Sequence, residues 1–503
     1  MKAVFIVVLF FILNSIFSQT FINRYTLGFP ATEFNSIEKG CNDSIWVSGF
    51  VCENVSPYVA KTCLINLNSS GTFVRSVIVP FDTVTNVFPY YNTLNSIKNG
   101  CFASVGYSQS VTDMIIKLCL IKYNIFNNIE FIKEYEDTGT NAYFGYNVVQ
   151  LNDKSFIIGG GLQLTNYQVY SFLVKTDSLG NFMWRKLYPG TLVSSLLYLS
   201  DNTILAGSLK TNYYLVPPGS PSWGKTYIFK ADTAGNILWE YTDTNDKTTS
   251  AFGLQYTDDG NLLYGGAYTY FPVPNESGVD KPCITLIDTL GTKIWSRVYG
   301  GQPSFCSGIK EIKRFSDGNY LAVGINYDST TLYWGWSGYL LKFDAQGNII
   351  WDRNYRVINA IEDENYLWDT EIFEGDTIVA VGSSAVMQPQ PNSYPVRGWI
   401  VKIAPDGCII PGCQFAGIDE EKSPFVNGIA VFPNPAKEAI YFMTKTEGKF
   451  SVHDITGKTI QTPFAVRNDI QYILPLSTYS KGVYVITFAT KKGAIQSFKF
   501  VKE

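Results

Sequence analysis

The stretch Tyr339-Leu-Leu-Lys-Phe-Asp-Ala-Gln-Gly-Asn-Ile-Ile-Trp-Asp-Arg-Asn-Tyr355 decides the fold, because its pattern recurs along most of the chain. Residues 340–343 are apolar enough for a buried strand. Residues 344–347 are typical of a tight turn. Beyond the turn, Trp351 and Tyr355 fall on one face of a second strand, because side chains alternate along a strand. The stretch therefore predicts a β-hairpin.

A turn residue that must take a positive φ marks each copy of this pattern. Six of the seven markers are Gly and one is Asn, the residue types that enter the left-handed region at the lowest steric cost. Successive markers are 53 to 60 residues apart. In six copies an Asp or Asn three residues earlier is suited to starting a type I turn. The markers are Gly71, Asn127, Gly180, Gly235, Gly291, Gly347 and Gly407.

A second set of glycines ends another apolar strand in every copy: Gly49, Gly106, Gly159, Gly207, Gly265, Gly324 and Gly382. Each copy then holds roughly four strands in about 55 residues, a repeat length that is typical of propeller blades. The sequence predicts an all-β protein in which residues 19–413 form a seven-bladed β-propeller of four-stranded blades. We expect the longer loops to lie on one rim.

The strand after the turn carries an aromatic-x-basic-x-Tyr pattern, as in Trp184-Arg-Lys-Leu-Tyr188 and Trp295-Ser-Arg-Val-Tyr299. We interpret these aromatic residues as packing between blades. The last copy lacks this strand after Gly407, and the missing piece occurs at the other end of the chain as Phe21-Ile-Asn-Arg-Tyr25. We therefore expect the N-terminal strand to complete the seventh blade and close the ring.

Residues 1–18 are typical of a secretory signal peptide, with Lys2 before an apolar run and small residues before a cut near residue 18. An uncleaved anchor is the alternative, but the run is short for a bilayer span. No later segment is apolar enough to cross a membrane, so the mature chain is expected to have no transmembrane segment. The 39 basic and 43 acidic residues nearly balance, and no basic tract indicates nucleic-acid binding.

The nine cysteines are an odd number, so at least one is unpaired in a monomer. Cys63, Cys119 and Cys283 occupy one repeated strand position, where other copies have large apolar residues, and are predicted to be buried core residues. Cys408 and Cys413 flank a Pro-Gly turn and form the possible disulfide.

A charged, proline-containing linker at 414–427 precedes a second domain at 428–503. Short alternating strands divided by turn residues predict a small β-sandwich there.

The second domain resembles the C-terminal sorting domain of the type IX secretion system of Bacteroidota. The resemblance is carried by Val431-Phe-Pro-Asn-Pro-Ala436, by the later turns and by a basic tail. Its signal residues would be Phe432, Pro433, Asn434, Pro435, Gly457, Gly482, Tyr484, Lys499 and Lys502. The resemblance implies type IX machinery as a partner, and a protein that is secreted or attached to the outer-membrane surface. A plain adhesion-type sandwich is the alternative. The propeller resembles, more loosely, uncharacterised repeat modules that precede such domains.

Candidate chemistry in the repeat region is carboxylate chemistry, because the chain's one histidine, His453, is in the second domain. No cofactor is expected, with Ca²⁺ as the exception, since it takes oxygen ligands. Glu362, Asp363 and Glu364 are the metal candidates, and they begin an acidic patch with Asp369, Glu371, Glu374 and Asp376. The same patch could hold the acid and base of a glycosidase, or be a solvated face.

Aromatic residues outside the repeat markers are the candidate ligand-binding residues: Tyr90, Tyr91, Tyr213, Tyr214, Tyr268, Tyr270, Trp334 and Trp336. We place them in segments that link strands. Rings with polar edges suit sugars and protein interfaces. The alternative is that they fold back over the blades.

Two functions follow from these features. The first is a binding or adhesion module for an extracellular glycan or protein, with no catalytic residues. The second is a carboxylate-based hydrolase or lyase that acts on extracellular polysaccharide. A close pair of inward-facing acids at one channel mouth would favour the hydrolase or lyase. A channel lined by apolar and small residues would favour the binding module.

Overall fold

β-Strands form nearly all the regular structure, as expected for a chain rich in aromatic and β-branched residues. The computed structural model describes residues 20–502 apart from 41–42, 56–57, 81–84, 98–99, 111–114, 137–138, 212–223, 244–247, 271–278, 301–306, 329–334, 359–362, 386–395, 410–428, 433–435, 445–446, 468–471 and 491–494. The predicted signal peptide and the linker at 414–427 lie outside these residues.

Strand β1, Phe21–Tyr25, comes first, and the next 27 strands fall into seven consecutive units. Unit 1 comprises β2 to β5, at Ala31–Lys39, Ile45–Val55, Tyr58–Leu67 and Phe73–Ile78. Unit 2 comprises β6 to β9, at Thr85–Ile97, Cys101–Ser110, Ile116–Tyr123 and Ile129–Tyr135. Unit 3 comprises β10 to β13, at Thr140–Gln150, Phe156–Leu164, Val169–Thr176 and Phe182–Tyr188. Unit 4 comprises β14 to β17, at Val193–Tyr198, Ile204–Thr211, Gly224–Ala231 and Ile237–Thr242.

The remaining three units continue the series to residue 403. Unit 5 comprises β18 to β21, at Thr248–Tyr256, Leu262–Tyr270, Val279–Ile287 and Lys293–Val298. Unit 6 comprises β22 to β25, at Gly308–Arg314, Tyr320–Asp328, Gly335–Phe343 and Ile349–Tyr355. Unit 7 comprises β26 to β28, at Glu364–Ile372, Ile378–Ala385 and Arg397–Ile403, with the 3₁₀ helix Glu374–Asp376 between its first two strands.

Each unit is an antiparallel sheet whose strands pair in chain order. Single parallel bridges join unit 2 to unit 3 and unit 6 to unit 7, through Ala142↔Ile116 and Trp336↔Glu364. Strand β1 pairs antiparallel with β28, from Phe21↔Lys402 to Tyr25↔Gly398, and so supplies the fourth strand of unit 7. The predicted pairing of residues 21–25 with the strand that ends near residue 403 is confirmed.

The first strand of every unit, here called its inner strand, contacts the inner strands of the units before and after it, and β26 also contacts β2. Hydrogen bonds reinforce these contacts. The Leu94 amide donates to Ser36 Oγ at 3.2 Å, between units 1 and 2. Asp369 Oδ2 accepts from the Ile37 amide at 2.9 Å, between units 7 and 1. The outer strands, at the other edge, expose apolar side chains such as Phe182.

A tyrosine hydroxyl links most neighbouring units at the outer edge. The Tyr188 hydroxyl, on the outer strand of unit 3, donates to the carbonyl of Gly235 in the turn of unit 4 at 2.7 Å. The same bond joins Tyr25 to Gly71, Tyr135 to Gly180, Tyr299 to Gly347 and Tyr355 to Gly407. Tyr25 belongs to β1, so this bond also connects unit 7 with unit 1.

The turn glycines satisfy two constraints at once. Gly235 has a φ of +78°, and a Cβ on it would lie 2.8 Å from the Trp184 ring and 2.9 Å from the Tyr188 hydroxyl. The aromatic ring of one unit therefore covers the turn of the next, as the sequence predicted for its repeated aromatic position. Only glycine combines the left-handed conformation with this close approach.

The link between units 4 and 5 departs from this pattern, because Asp243 stands where the tyrosine is expected. Its carboxylate is fully buried. It accepts from the Tyr264 hydroxyl at 2.8 Å and pairs with Lys293 Nζ at 2.8 Å. Lys293 in turn replaces an apolar residue of the repeat, such as Ile237 or Ile349. An ion pair between a half-buried lysine and a buried carboxylate thus substitutes for the tyrosine bond.

Two further sheets make up the C-terminal region. One comprises β29, β30 and β33, at Ile429–Phe432, Ala439–Thr444 and Tyr472–Pro475. The other comprises β31, β32, β34 and β35, at Gly448–Asp454, Thr459–Val466, Gly482–Thr490 and Ile495–Lys502. Both sheets contribute to one apolar core, in which the Phe442 and Phe450 rings stack with centroids 3.8 Å apart.

The cysteines of the described strands are core residues. Cys63, Cys119 and Cys283 are buried free thiols, as predicted, and Cys52 is buried as well. Cys408 is disulfide-bonded. Its predicted partner, Cys413, lies outside the described residues.

We expect Tyr25→Phe and Tyr188→Phe to lower the free energy of unfolding by similar amounts, about 1–2 kcal/mol, because each leaves a buried glycine carbonyl without its donor. Chemical denaturation of the chain without residues 1–18 measures this. Tyr198→Phe is the control, because its hydroxyl bonds to Asn202 in an exposed position. A loss for Tyr188→Phe with none for Tyr25→Phe would show that β1 does not connect units 7 and 1.

Lys293→Ile should cost about 3 kcal/mol of stability, since it leaves the Asp243 carboxylate buried without its cation. Adding Asp243→Tyr restores the repeat pattern, and we expect the double variant to recover most of the loss. Lys117→Ile, which breaks the exposed pair with Glu136, should cost less than about 1 kcal/mol. Equal stabilities of the single and double Lys293 variants would contradict this account.

Candidate functional site

Five of the eight predicted aromatic residues lie in strands, so their predicted placement in linking segments was wrong for these five. Tyr268 lies in β19 and Trp336 in β24. Tyr90 and Tyr91 lie in β6 and Tyr270 lies in β19, but the side chains of these three residues are not described. Tyr213, Tyr214 and Trp334 lie outside the described residues. The second strand of a unit continues well past its repeated glycine, because aromatic residues favour the extended conformation.

These strand positions share one end of the units. The inner strand begins, the second strand ends and the third strand begins at the same end, because consecutive strands are antiparallel. Tyr268 is near the end of a second strand, and Trp336 is near the start of a third. We call this the entry end of the units.

An aromatic–lysine cluster occupies the entry end of units 5 to 7 and comprises Phe252, Lys310, Trp336, Tyr366 and Trp368. Lys310 Nζ lies 5.0 Å from the centroid of the Phe252 ring and 5.8 Å from that of Trp368. Register shifts in β18, β22 and β26 show bulges at equivalent places in the three inner strands. Bulges redirect side chains, and here they bring residues of three consecutive units together.

The rings of this cluster continue into unit 6 as an unbroken row. The Trp336 centroid is 5.5 Å from that of Tyr327 and 6.2 Å from that of Tyr366. Tyr366 is 5.2 Å from Trp368, whose indole NH donates to Ser383 Oγ at 3.2 Å. All these rings are half-buried except Trp368, which is buried. The row offers ring faces and edges beside an ammonium group, which suits a sugar or a protein side chain.

Glu33, on the inner strand of unit 1, adds a carboxyl group with an unusual affinity for protons. Burial, and to a smaller extent the nearby Glu364 carboxylate, raise the pKa of Glu33, while hydrogen bonds with Asn35, Ser383 and Trp368 lower it. The net result is a pKa of about 7. Burial also raises the pKa of Glu364. A carboxyl group that titrates near neutral pH can give or take a proton at a bound ligand.

A second group of charges surrounds Lys313, further along the inner strands, and we call it the carboxylate–lysine cluster. Its acids are Glu38, Glu311, Asp369 and Glu371. Lys313 Nζ lies 2.5 Å from Glu371 Oε1. Burial lowers the pKa of Lys313, but the four acids together raise it well above its ordinary value. Burial raises the pKa of Glu38, Glu311 and Asp369.

Sequence reasoning found Asp369 and Glu371 but missed Glu38 and Glu311. The four acids come from the inner strands of units 1, 6 and 7, which are neighbours only if the first unit contacts the last. Glu38, Lys313 and Glu371 all stand two residues after a strand bulge. A bulge is visible only in the pairing of the strands, so no sequence pattern indicated this cluster.

The predicted acidic patch at 362–376 is not one solvated face. Asp363 is fully buried and Asp369 is 4% exposed, whereas Glu374 and Asp376 belong to the 3₁₀ helix beyond the other end of β26. The extended strand separates acids that are close in sequence. Glu362 lies outside the described residues. Among the residues that the structure describes, no three His, Cys, Asp or Glu side chains are grouped to hold a metal ion.

Grooves also lie between units in the described part of the chain. One groove, of about 560 Å³, lies between units 4 and 5 and is lined by Trp239, Tyr256, Lys230 and Asp201 among others. A more open groove of about 470 Å³ lies beside Arg297 and Gly347, between units 5 and 6. No sequence prediction named either groove.

The predicted sorting residues occupy turns and strands of the C-terminal sheets. Gly457 closes a turn with its amide on the Asp454 carbonyl at 3.0 Å. Tyr484 is buried and stacks on Phe500 at 5.3 Å between ring centroids. Gly482 begins β34, and Lys499 and Lys502 lie on β35. Phe432 lies in β29, but its side chain is not described. Pro433, Asn434 and Pro435 lie outside the described residues.

Residues 430–503 match the family model of the secretion system C-terminal sorting domain. This match supports the predicted sorting domain, indicates secretion to the cell surface or the medium, and implies contact with the type IX secretion machinery. No curated protein matches the chain in sequence. Within the described residues, no helix is long and apolar enough to span a bilayer.

Several solved structures are similar in fold to the chain. Virginiamycin B lyase from Staphylococcus aureus has a TM-score of 0.42 and 11% identity over 76% of this chain and 100% of that one. An α-L-arabinofuranosidase from Fusarium graminearum has a TM-score of 0.37 and 12% identity over 59% and 89%. The β-propeller domain of the Trilobed protease from Pyrococcus furiosus has a TM-score of 0.39 and 8% identity over 72% and 94%. At these scores, no activity or ligand carries over.

Glu33→Gln should stabilise the protein at high pH and not at low pH. The unfolded chain loses its Glu33 proton near the ordinary pKa of 4.5, whereas the folded chain keeps it until about pH 7. The carboxylate therefore disfavours folding increasingly between these values and fully above pH 7. We expect the free energy of unfolding of Glu33→Gln to exceed that of the unchanged protein by on the order of 2 kcal/mol at pH 8, and the difference to vanish near pH 4.

Denaturant unfolding at pH 4, 6 and 8 measures this difference. Glu136→Gln is the control, because that side chain is mostly exposed. A gain for Glu33→Gln that does not change with pH would contradict the assigned environment of Glu33.

Proposed function

We propose that this chain is a secreted or surface-attached seven-bladed β-propeller, exported by the type IX secretion system of a member of Bacteroidota, that binds an extracellular glycan or protein. In this proposal, residues 1–18 are removed as a signal peptide, residues 19–413 form the ring and residues 414–427 link it to the sorting domain at 428–503. Each unit of the fold is one blade.

Three contacts support a closed ring. Strand β1 completes unit 7. The Tyr25 hydroxyl reaches the Gly71 carbonyl at 2.7 Å, with the geometry of the bonds between other neighbouring units. The Asp369 carboxylate accepts from Ser36 Oγ at 2.8 Å and from the Ile37 amide, so the inner strands of units 7 and 1 are also joined. A closed ring leaves no unpaired sheet at its ends.

The binding function rests on one observation, the aromatic–lysine cluster at the entry end of units 5 to 7. Packing between blades does not require an ammonium group between the Phe252 and Trp368 rings. Nor does it require Trp336 to remain half-buried at the start of its strand. Half-exposed rings with a polar rim are the usual anchors for sugars and protein partners.

A second function is favoured by Glu33 and Glu364. Two carboxyl groups whose environments raise their pKa values, next to an aromatic row, resemble the acid and base that glycoside cleavage requires. Hydrolysis or lysis of an extracellular polysaccharide is therefore the alternative. Cleavage requires the Glu33 and Glu364 carboxyl groups to lie on either side of a bound glycosidic bond. Binding requires only the contacts of the aromatic–lysine cluster. Ca²⁺ at residues 362–364 stays a prediction.

A glycan array and a screen of extracellular proteins, probed with residues 19–503, test the binding function. We expect Trp336→Ala and Lys310→Met each to weaken the ligand found at least tenfold, which is about 1.4 kcal/mol. Phe182→Ala, an exposed ring on an outer strand, is the control and should leave affinity unchanged. Binding that survives both cluster variants would place the ligand elsewhere and refute the proposed site.

Incubation with the ligand separates the two functions. The binding function predicts that a bound glycan is recovered intact. Cleavage that is lost in Glu33→Gln or Glu364→Gln, with binding retained, would replace the first function by the second.

A further inference from the structure

The groove between units 4 and 5 lies where two positions of the repeat are altered. Asp243 replaces the tyrosine that bonds to the next turn, and Tyr241 replaces the basic residue two positions earlier. The groove is about 560 Å³, within the range of small-molecule sites. Its walls include the turn of unit 5 at Asp288 and Thr289.

The altered basic position removes one contact across this groove. In unit 3 the equivalent residue, Lys186, reaches the turn of unit 4 and donates to Asn236 Oδ1 at 2.6 Å. In unit 5, Arg297 donates to the carbonyl of Gln346 in the turn of unit 6 at 3.0 Å. Tyr241 instead turns inward, with its hydroxyl 3.4 Å from that of Tyr264. No basic side chain from this position crosses the groove.

The walls of the groove combine aromatic surface with a paired charge. Trp239 and Lys230 are directly opposed in neighbouring strands, so they share the sheet face that is turned to unit 5. Lys230 Nζ lies 2.7 Å from Asp201 Oδ2. Tyr256 lines the groove together with this ion pair. Burial raises the pKa of Tyr256, and Lys230 and Asp201 act on it in opposite directions.

The charges in the groove disfavour an anionic ligand and do not require a cationic one. Lys230 and Asp201 neutralise each other. Asp288 adds one carboxylate, but its Oδ1 accepts from the Leu290 and Thr292 amides of its own turn. Lysine–aspartate pairs also occur in units 3 and 6, so the pair alone is structural. Trp184 and Trp351 oppose those lysines as Trp239 opposes Lys230. What distinguishes this groove is that Tyr241 replaces the basic side chain of the repeat.

We infer that the groove between units 4 and 5 binds a neutral saccharide of one or two sugar rings, with a ring face on Trp239 and hydroxyl groups on Lys230, Asp201 and Tyr256. An aromatic side chain packs against the apolar face of a sugar, and the charged pair exchanges hydrogen bonds with vicinal hydroxyls. This site is separate from the aromatic–lysine cluster and does not depend on the proposed function.

Saturation-transfer NMR of residues 19–503 tests the site with glucose, galactose, mannose, N-acetylglucosamine and their disaccharides. At least one sugar should give a signal that Trp239→Ala and Lys230→Met each weaken fivefold or more. Tyr241→Lys restores the basic side chain of the repeat across the groove, and we expect the same loss. Trp184→Ala, at the equivalent position of unit 3, is the matched control and should leave the signal unchanged.

Thermal unfolding of each variant distinguishes lost binding from lost folding. Tyr241→Lys introduces a contact that other units already make, so it keeps the test valid if Trp239→Ala unfolds. The inference is overturned if none of these sugars gives a signal. It is also overturned if the signal persists in Tyr241→Lys, or disappears only in Trp336→Ala, which would assign it to the aromatic–lysine cluster.

Discussion

The contact between a turn of one unit and the outer strand of the unit before it is the constraint on which the rest of the structure depends. The turn glycine holds a positive φ while an aromatic ring lies where its Cβ would be, and its carbonyl accepts from a buried tyrosine hydroxyl. One residue thus specifies both the bend within a unit and the distance to its neighbour. Repetition of this contact sets the stacking of the units, since each unit buries its faces only against others.

The same contact gives the N-terminal strand its role. The Phe21 ring packs against Gly71, and the Tyr25 hydroxyl donates to the Gly71 carbonyl. The outer strands of other units contact the turns that follow them in the same way. Residues that are far apart in sequence are therefore joined by an interaction that is otherwise local to neighbouring units. Contacts of this separation have a high cost in chain entropy, which the buried bond and the pairing with β28 offset.

Two departures from the repeat lie beside candidate binding sites. Asp243 and Lys293 replace a tyrosine and an apolar residue together, and the groove opens beside them. Lys310 stands at a bulge where the neighbouring unit has Trp368. A scaffold that is stabilised by many equivalent contacts tolerates single substitutions, so the altered positions are available for binding.

The sequence alone determined the repeat, its turns, the strand that unit 7 borrows and the sorting domain, because these depend on local backbone chemistry and on spacing. Gly235 could be read as a turn residue without knowing its neighbours. Only the tertiary structure decided which charges meet. Glu33, Glu38, Glu311 and Lys310 became members of clusters because inner strands of different units converge, and that convergence leaves no local pattern. Tyr268 and Trp336 were located in strands only by pairing, since the hydrogen bonds that extend a strand come from the partner strand and not from the residue itself.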